Sequence, residues 1–135
     1  RSWNVSLAPT WAVLRRQHWN FDLGVSANGY GYDKESELYD VGYYAPKWAQ
    51  SYYLTSFVTW KISNDDSVNL AINIGEFQDN YMDKFVFGGG AHLEGVFGLY
   101  RDWMLKANAG VDYSARYYDS QYSIYSAGLY ITRRF

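Results

Sequence analysis

The tightest constraint on this chain is a hydrophobic alternation with a period of two, sustained over seven segments that cover most of its 135 residues. In Ser2–Leu14, Trp3, Val5, Leu7, Pro9, Trp11 and Val13 share one face, opposite Asn4, Ser6, Ala8, Thr10 and Ala12. Trp19–Tyr32 sets Trp19, Phe21, Leu23, Val25 and Ala27 against Asn20, Asp22, Ser26 and Asn28. Ser51–Ile62 sets Tyr52, Leu54, Val58, Trp60 and Ile62 against Tyr53, Thr55, Thr59 and Lys61. The pattern recurs in Ser67–Gly75, Phe85–Leu99, Trp103–Tyr117 and Tyr122–Phe135. Successive side chains of a strand point to opposite faces, so alternation of this length predicts half-buried strands, and no segment reads as a helix longer than a turn. The expected fold class is all-β, with seven antiparallel strands in up-and-down order.

Length separates two kinds of all-β protein. Strands of soluble sandwiches usually run to about 5–6 residues, whereas a strand that crosses a bilayer at a tilt needs about 9–11. The segments here reach that longer class. The connections also alternate: 15–18, 63–66 and 100–102 are tight turns, whereas 33–50, 76–84 and 118–121 are generally longer and rich in Tyr, Asp and Gln. Short turns on one side and longer loops on the other are the pattern of outer-membrane barrels. No run approaches the ~18 apolar residues of a membrane helix, which leaves a barrel open because its signal is alternation.

Composition narrows the function classes. The chain has no Cys, which excludes disulfide scaffolds, thiolate metal sites and thiol nucleophiles. With 12 Lys and Arg against 14 Asp and Glu it has no basic surplus for a nucleic acid. Its 15 Tyr, 7 Phe and 6 Trp make it 21% aromatic. Trp11, Trp19, Trp60 and Trp103 flank the tight turns on the apolar parity, where a girdle at the headgroup boundary is expected. Phe85, Tyr113 and Tyr117 would form the opposite girdle.

With the apolar parity toward outer-membrane lipid, the other parity lines a lumen. It offers Asn20, Asp22, Tyr53, Asn69, Asn73, Asn108, Asp112, Arg116 and Tyr130, with Thr55, His92, Glu94 and Lys106 among them. Amides, hydroxyls and Tyr rings without a single-sign charge suit a neutral or weakly charged sugar chain, and equally serve any water-filled barrel. Bacterial barrels have an even number of strands with both ends on the periplasmic side. Seven strands break that rule. Either a strand lies hidden in 33–50, or residues 1–135, one barrel domain, are the C-terminal part of a larger barrel; the abrupt start without Met favours the latter expectation.

Two stretches carry a family resemblance. Gly42-Tyr43-Tyr44-Ala45-Pro46, followed by Gln50-Ser51-Tyr52-Tyr53-Leu54, resembles a loop and strand of the C-terminal barrel in the outer-membrane component of bacterial cellulose synthase. The ending Ser126-Ala127-Gly128-Leu129-Tyr130-Ile131-Thr132-Arg133-Arg134-Phe135 is similar to that domain's last strand, with Arg133 departing from the usual apolar residue. The resemblance implies an exopolysaccharide export porin of about sixteen strands. It also implies a periplasmic tetratricopeptide scaffold upstream, and Phe135 as the signal read by the barrel assembly machinery. Related exporters of other glycans share this plan, so the polymer stays open. Tyr43, Tyr44 and Trp48 are candidates for a stacking platform at the pore mouth, or for self-packing within the loop.

Other chemistry is weakly supported. Gly88-Gly89-Gly90 lacks the rest of a phosphate loop, and His18 and His92 have no metal-ligand spacing. A His92/Glu94 pair with Ser114 or Ser126 would suit a lipid-modifying barrel enzyme, but no Gly-x-Ser-x-Gly motif accompanies it. The expectation is a passive porin segment without enzyme activity or cofactor. The alternatives are a small structural or adhesive barrel and, less favoured, a lipid-modifying enzyme.

Overall fold

The computed structural model describes residues 2–32, 46–100, 102–116 and 120–133. Among them are eight strands and no helix: β1 (Ser2–Leu7), β2 (Thr10–Arg15), β3 (Trp19–Tyr32), β4 (Ala49–Lys61), β5 (Ser67–Asp79), β6 (Val86–Gly98), β7 (Trp103–Arg116) and β8 (Ser120–Arg133). All pairs are antiparallel and form one sheet in the order β1-β3-β4-β5-β6-β7-β8, with β2 also on β3. β1 and β2 lie end to end along β3, so eight elements occupy seven positions. The sheet is open, with β1 and β2 at one edge and β8 at the other.

The break between β1 and β2 falls at Pro9. Its carbonyl accepts the Val25 N–H at 3.1 Å, but proline has no N–H to return, so the ladder is interrupted. An edge strand tolerates that loss best. The register is unchanged across the break, Leu7 facing Ala27 and Thr10 facing Gly24. It shifts between Ala12 and Leu14, where a bulge puts Leu14, not Val13, opposite Phe21. The expected parity of this strand is therefore corrected at its end: Leu14 joins the apolar row, and Arg15 comes opposite Asn20 on the polar side.

Two further expectations change. β5 runs on to Asp79, so the connection placed at 76–84 shortens to 80–85. β4 pairs with both neighbours without a bulge. Strict alternation then puts Ser56 among apolar residues and Phe57 on the polar face.

The tight-turn rim is held by local bonds. Ser63 Oγ accepts the N–H groups of Asp65 and Asp66 at 3.2 and 3.1 Å and donates to Asp66 Oδ2 at 2.9 Å. Asp66 Oδ1 accepts the Gly98 N–H at 2.8 Å, which ties this turn to the next. At the opposite rim, the Tyr32 N–H reaches the Pro46 carbonyl and the Asn80 N–H the Trp48 carbonyl, so residues 46–48 bridge the ends of β3 and β5. Asp79 is buried there and accepts the Tyr81 N–H at 2.8 Å.

The described residues form no second layer. Among the described residues, Ala49 and Pro46 are the only buried apolar side chains apart from glycines. Val25, Leu54, Ile72, Ile74, Phe87 and Leu93 are all exposed on one face. A soluble domain hides such a face against another layer; this sheet leaves it open.

Candidate functional site

The two faces follow from the register. Reading across β3 to β8, one apolar row is Phe21, Val58, Leu70, Leu93, Ala109 and Ala127, and the next is Leu23, Ser56, Ile72, Ala91, Val111 and Tyr125. Toward the loop rim this face becomes polar, with Glu76 and the hydrogen-bonded pair Gln50–Gln78 (3.3 Å). The four tryptophans are exposed on it. Trp19 and Trp60 stack with centroids 5.4 Å apart and planes 4° from parallel. Trp11 and Trp103 lie in other rows, displaced in opposite directions along the strands. The four therefore trace a diagonal across the sheet rather than a row perpendicular to it.

The polar face carries the candidate ligand-binding residues. Asn20, Thr59, Asn69, Glu94 and Asn108 stand in one register row across five strands. The adjacent row is Asp22, Phe57, Ala71, His92, Gly110 and Ser126. Between these rows lies a depression of about 470 Å³, within the ~300–1,000 Å³ typical of ligand sites. Ala71, the small residue opposite His92 on β5, leaves room in it.

His92 Nε2 lies 2.9 Å from Asp112 Oδ1, a donor–acceptor pair in which the ring nitrogen carries the proton. Nδ1 turns toward Gly110, where a Cβ would collide with it and meet Ser126 Oγ at 3.0 Å. Ser126 and His92 thus share the space over Gly110 without a hydrogen bond between them, so the base is not engaged with the hydroxyl a Ser–His–Asp mechanism would activate. Glu94 has no ion-pair partner among the described residues. Arg15 pairs with Asp22 on the same face.

The remaining candidates are dispersed. Tyr53 lies over Gly75, where a Cβ would run into its ring and the Tyr52 carbonyl, with its hydroxyl toward Gly88. Tyr130 covers Gly128 next to Asn108. Asn73 stands between Thr55 and Gly90. Trp48 lines a groove with Trp3, Val5 and Tyr52 on the apolar side, apart from the residues gathered on the polar face. Tyr43, Tyr44 and Phe135 lie outside the described residues, as does the side chain of Arg116. Phe57 went unrecognised in the sequence because it follows Ser56, and the pair looks like a break in the alternation. The missed signal was parity counted straight through.

Comparison with protein families, with characterised proteins and with solved structures finds no match to this chain.

Proposed function

We propose that this chain is the C-terminal part of an outer-membrane export porin. Its sheet closes with further strands into a transmembrane barrel and passes an exopolysaccharide outward through the polar side, without covalent chemistry. The observation that carries the reading is that the described residues form a single sheet with two unlike faces, neither packed against another described layer, and without an apolar core. Seven strand positions at about 4.8 Å span roughly 30 Å, and the apolar belt is about 25 Å along the strands. That makes an apolar patch of about 750 Å², above the ~300–600 Å² of the largest patch on an ordinary soluble monomer. Strands of 13 and 14 residues are long enough to cross hydrocarbon at a tilt.

The tryptophan diagonal supports the same reading. Trp11 shares a row with Val111, and Trp103 lies eight residues along β7 from Val111. That is roughly 26 Å along the strands for about 24 Å across five strand spacings, a slope of about 45–50°. Barrel strands tilt by about 35–45°, so tryptophans at one membrane level trace such a diagonal across the sheet.

The polymer suited to this face is a neutral or weakly charged glycan, with amides and hydroxyls for its hydroxyl groups. Lipid, the barrel assembly machinery and a periplasmic tetratricopeptide scaffold in the same protein are the partners this reading calls for. The experiment is planar-bilayer recording of the full-length protein after folding is confirmed by heat-modifiable gel mobility. Steady conductance, interrupted by added oligosaccharide, is the expected result. A folded protein that inserts and never conducts refutes export and leaves a structural or adhesive barrel.

A further inference from the structure

From the depression on the polar face we infer that Phe57 and Glu94 form a saccharide subsite, which holds two adjacent sugar units that are uncharged or carry an amine. The inference rests on the export reading above and adds to it the place where the chain is held and the charge that the place accepts.

Phe57 is 41% exposed in a row that otherwise offers polar or small side chains. An exposed ring within such a row has a use if it meets an apolar surface, and the axial C–H face of a pyranose is one that arrives in water. Ala71, opposite Phe57 on β5, leaves the space beside the ring open. Two strands away, Glu94 presents a carboxylate between the amides of Asn69 and Asn108. Two strand spacings across and the two-residue step between the rows make about 12 Å, the reach of a disaccharide rather than of one ring. A sugar stacked on Phe57 therefore places its neighbour over Glu94, Asn69 and Asn108, which accept and donate hydrogen bonds to ring hydroxyls.

Charge decides between glycans. Among the described residues no Lys or Arg lines the depression, Lys61 and Lys106 standing in the next row beyond it, whereas Glu94 and the Asp112-bonded His92 both line it. A uronate or sulfated unit would bring a second negative charge to Glu94. An ammonium would form a charge-assisted bond there, stronger than the neutral one from a hydroxyl.

The test is single-channel recording of the full-length protein with cellohexaose, a glucosamine hexamer and hexagalacturonate as probes. Wild-type protein should show long blocks by the first two and only brief ones by the third. Phe57→Ala should shorten the blocks by both effective probes about tenfold, and Phe57→Tyr should restore them. Glu94→Gln should shorten the glucosamine block more than the cellohexaose block. Conductance with blocks unaffected by Phe57→Ala and Glu94→Gln overturns the subsite while sparing the porin reading. A folded wild-type protein that does not conduct overturns both.

Discussion

The apolar and polar faces of this sheet are built on one backbone and differ only in parity, yet they are organised in opposite ways. The apolar face is a field of interchangeable contacts, in which Val, Leu and Ile stand side by side and the stacked Trp19–Trp60 pair at the tight-turn rim is its most specific feature. The polar face is a set of individual arrangements: Arg15 with Asp22, His92 with Asp112, Tyr53 over Gly75, Glu94 between two asparagines. On the export reading proposed above, the difference matches what each face would meet. A non-directional environment needs only area and length, whereas a ligand with hydroxyl groups needs donors and acceptors at set positions.

The contrast is broken most severely by putting charge on each face in turn. Ile72→Arg, in the middle of the apolar belt, should cost about 2–4 kcal/mol of folding stability in a bilayer. Its neighbour Asn73→Arg, on the other face, should change stability by no more than about 0.5 kcal/mol. Urea titration of the full-length protein in lipid vesicles measures both, and equal small effects would mean that the apolar face does not contact hydrocarbon.

A smaller effect sharpens the apolar side. A double-mutant cycle on Trp19→Ala and Trp60→Ala should give a coupling of about 0.5–1.5 kcal/mol, as stacked aromatic pairs do. A coupling near zero would show that the two rings are only neighbours.

The smallest effect concerns the polar side. His92 and Asp112 are nearly half exposed, so His92→Ala with Asp112→Ala should show a coupling of about 0.2–1 kcal/mol that fades with salt. A larger, salt-insensitive coupling would mean that the pair is enclosed, contrary to an open water-lined face.

Much of this contrast was readable before the fold. Alternation placed Asn20, Asn69, Asn108 and Asp112 on one face and Trp11, Trp19, Trp60 and Trp103 on the other, because side-chain direction in a strand depends only on parity. The bounds of β3 were read as found, since a tight turn precedes Trp19 and the pattern stops after Tyr32. What escaped was what depends on pairing. The bulge that brings Leu14 opposite Phe21 is a property of two strands together. The extension of β5 to Asp79 follows from its ladder with β4, in which Glu76, Gln78 and Asp79 all have partners despite their polarity.

The local chain alone thus settled the strand character of the seven segments and the division of their residues between an apolar and a polar side, since both follow from a backbone repeat of two. Which residues stand together was decided by the register across strands far apart in the chain. Phe57, Glu94 and Ser126 meet at one depression because hydrogen-bonded ladders between β4 and β8 align them. Their spacing along the chain carries no trace of that alignment.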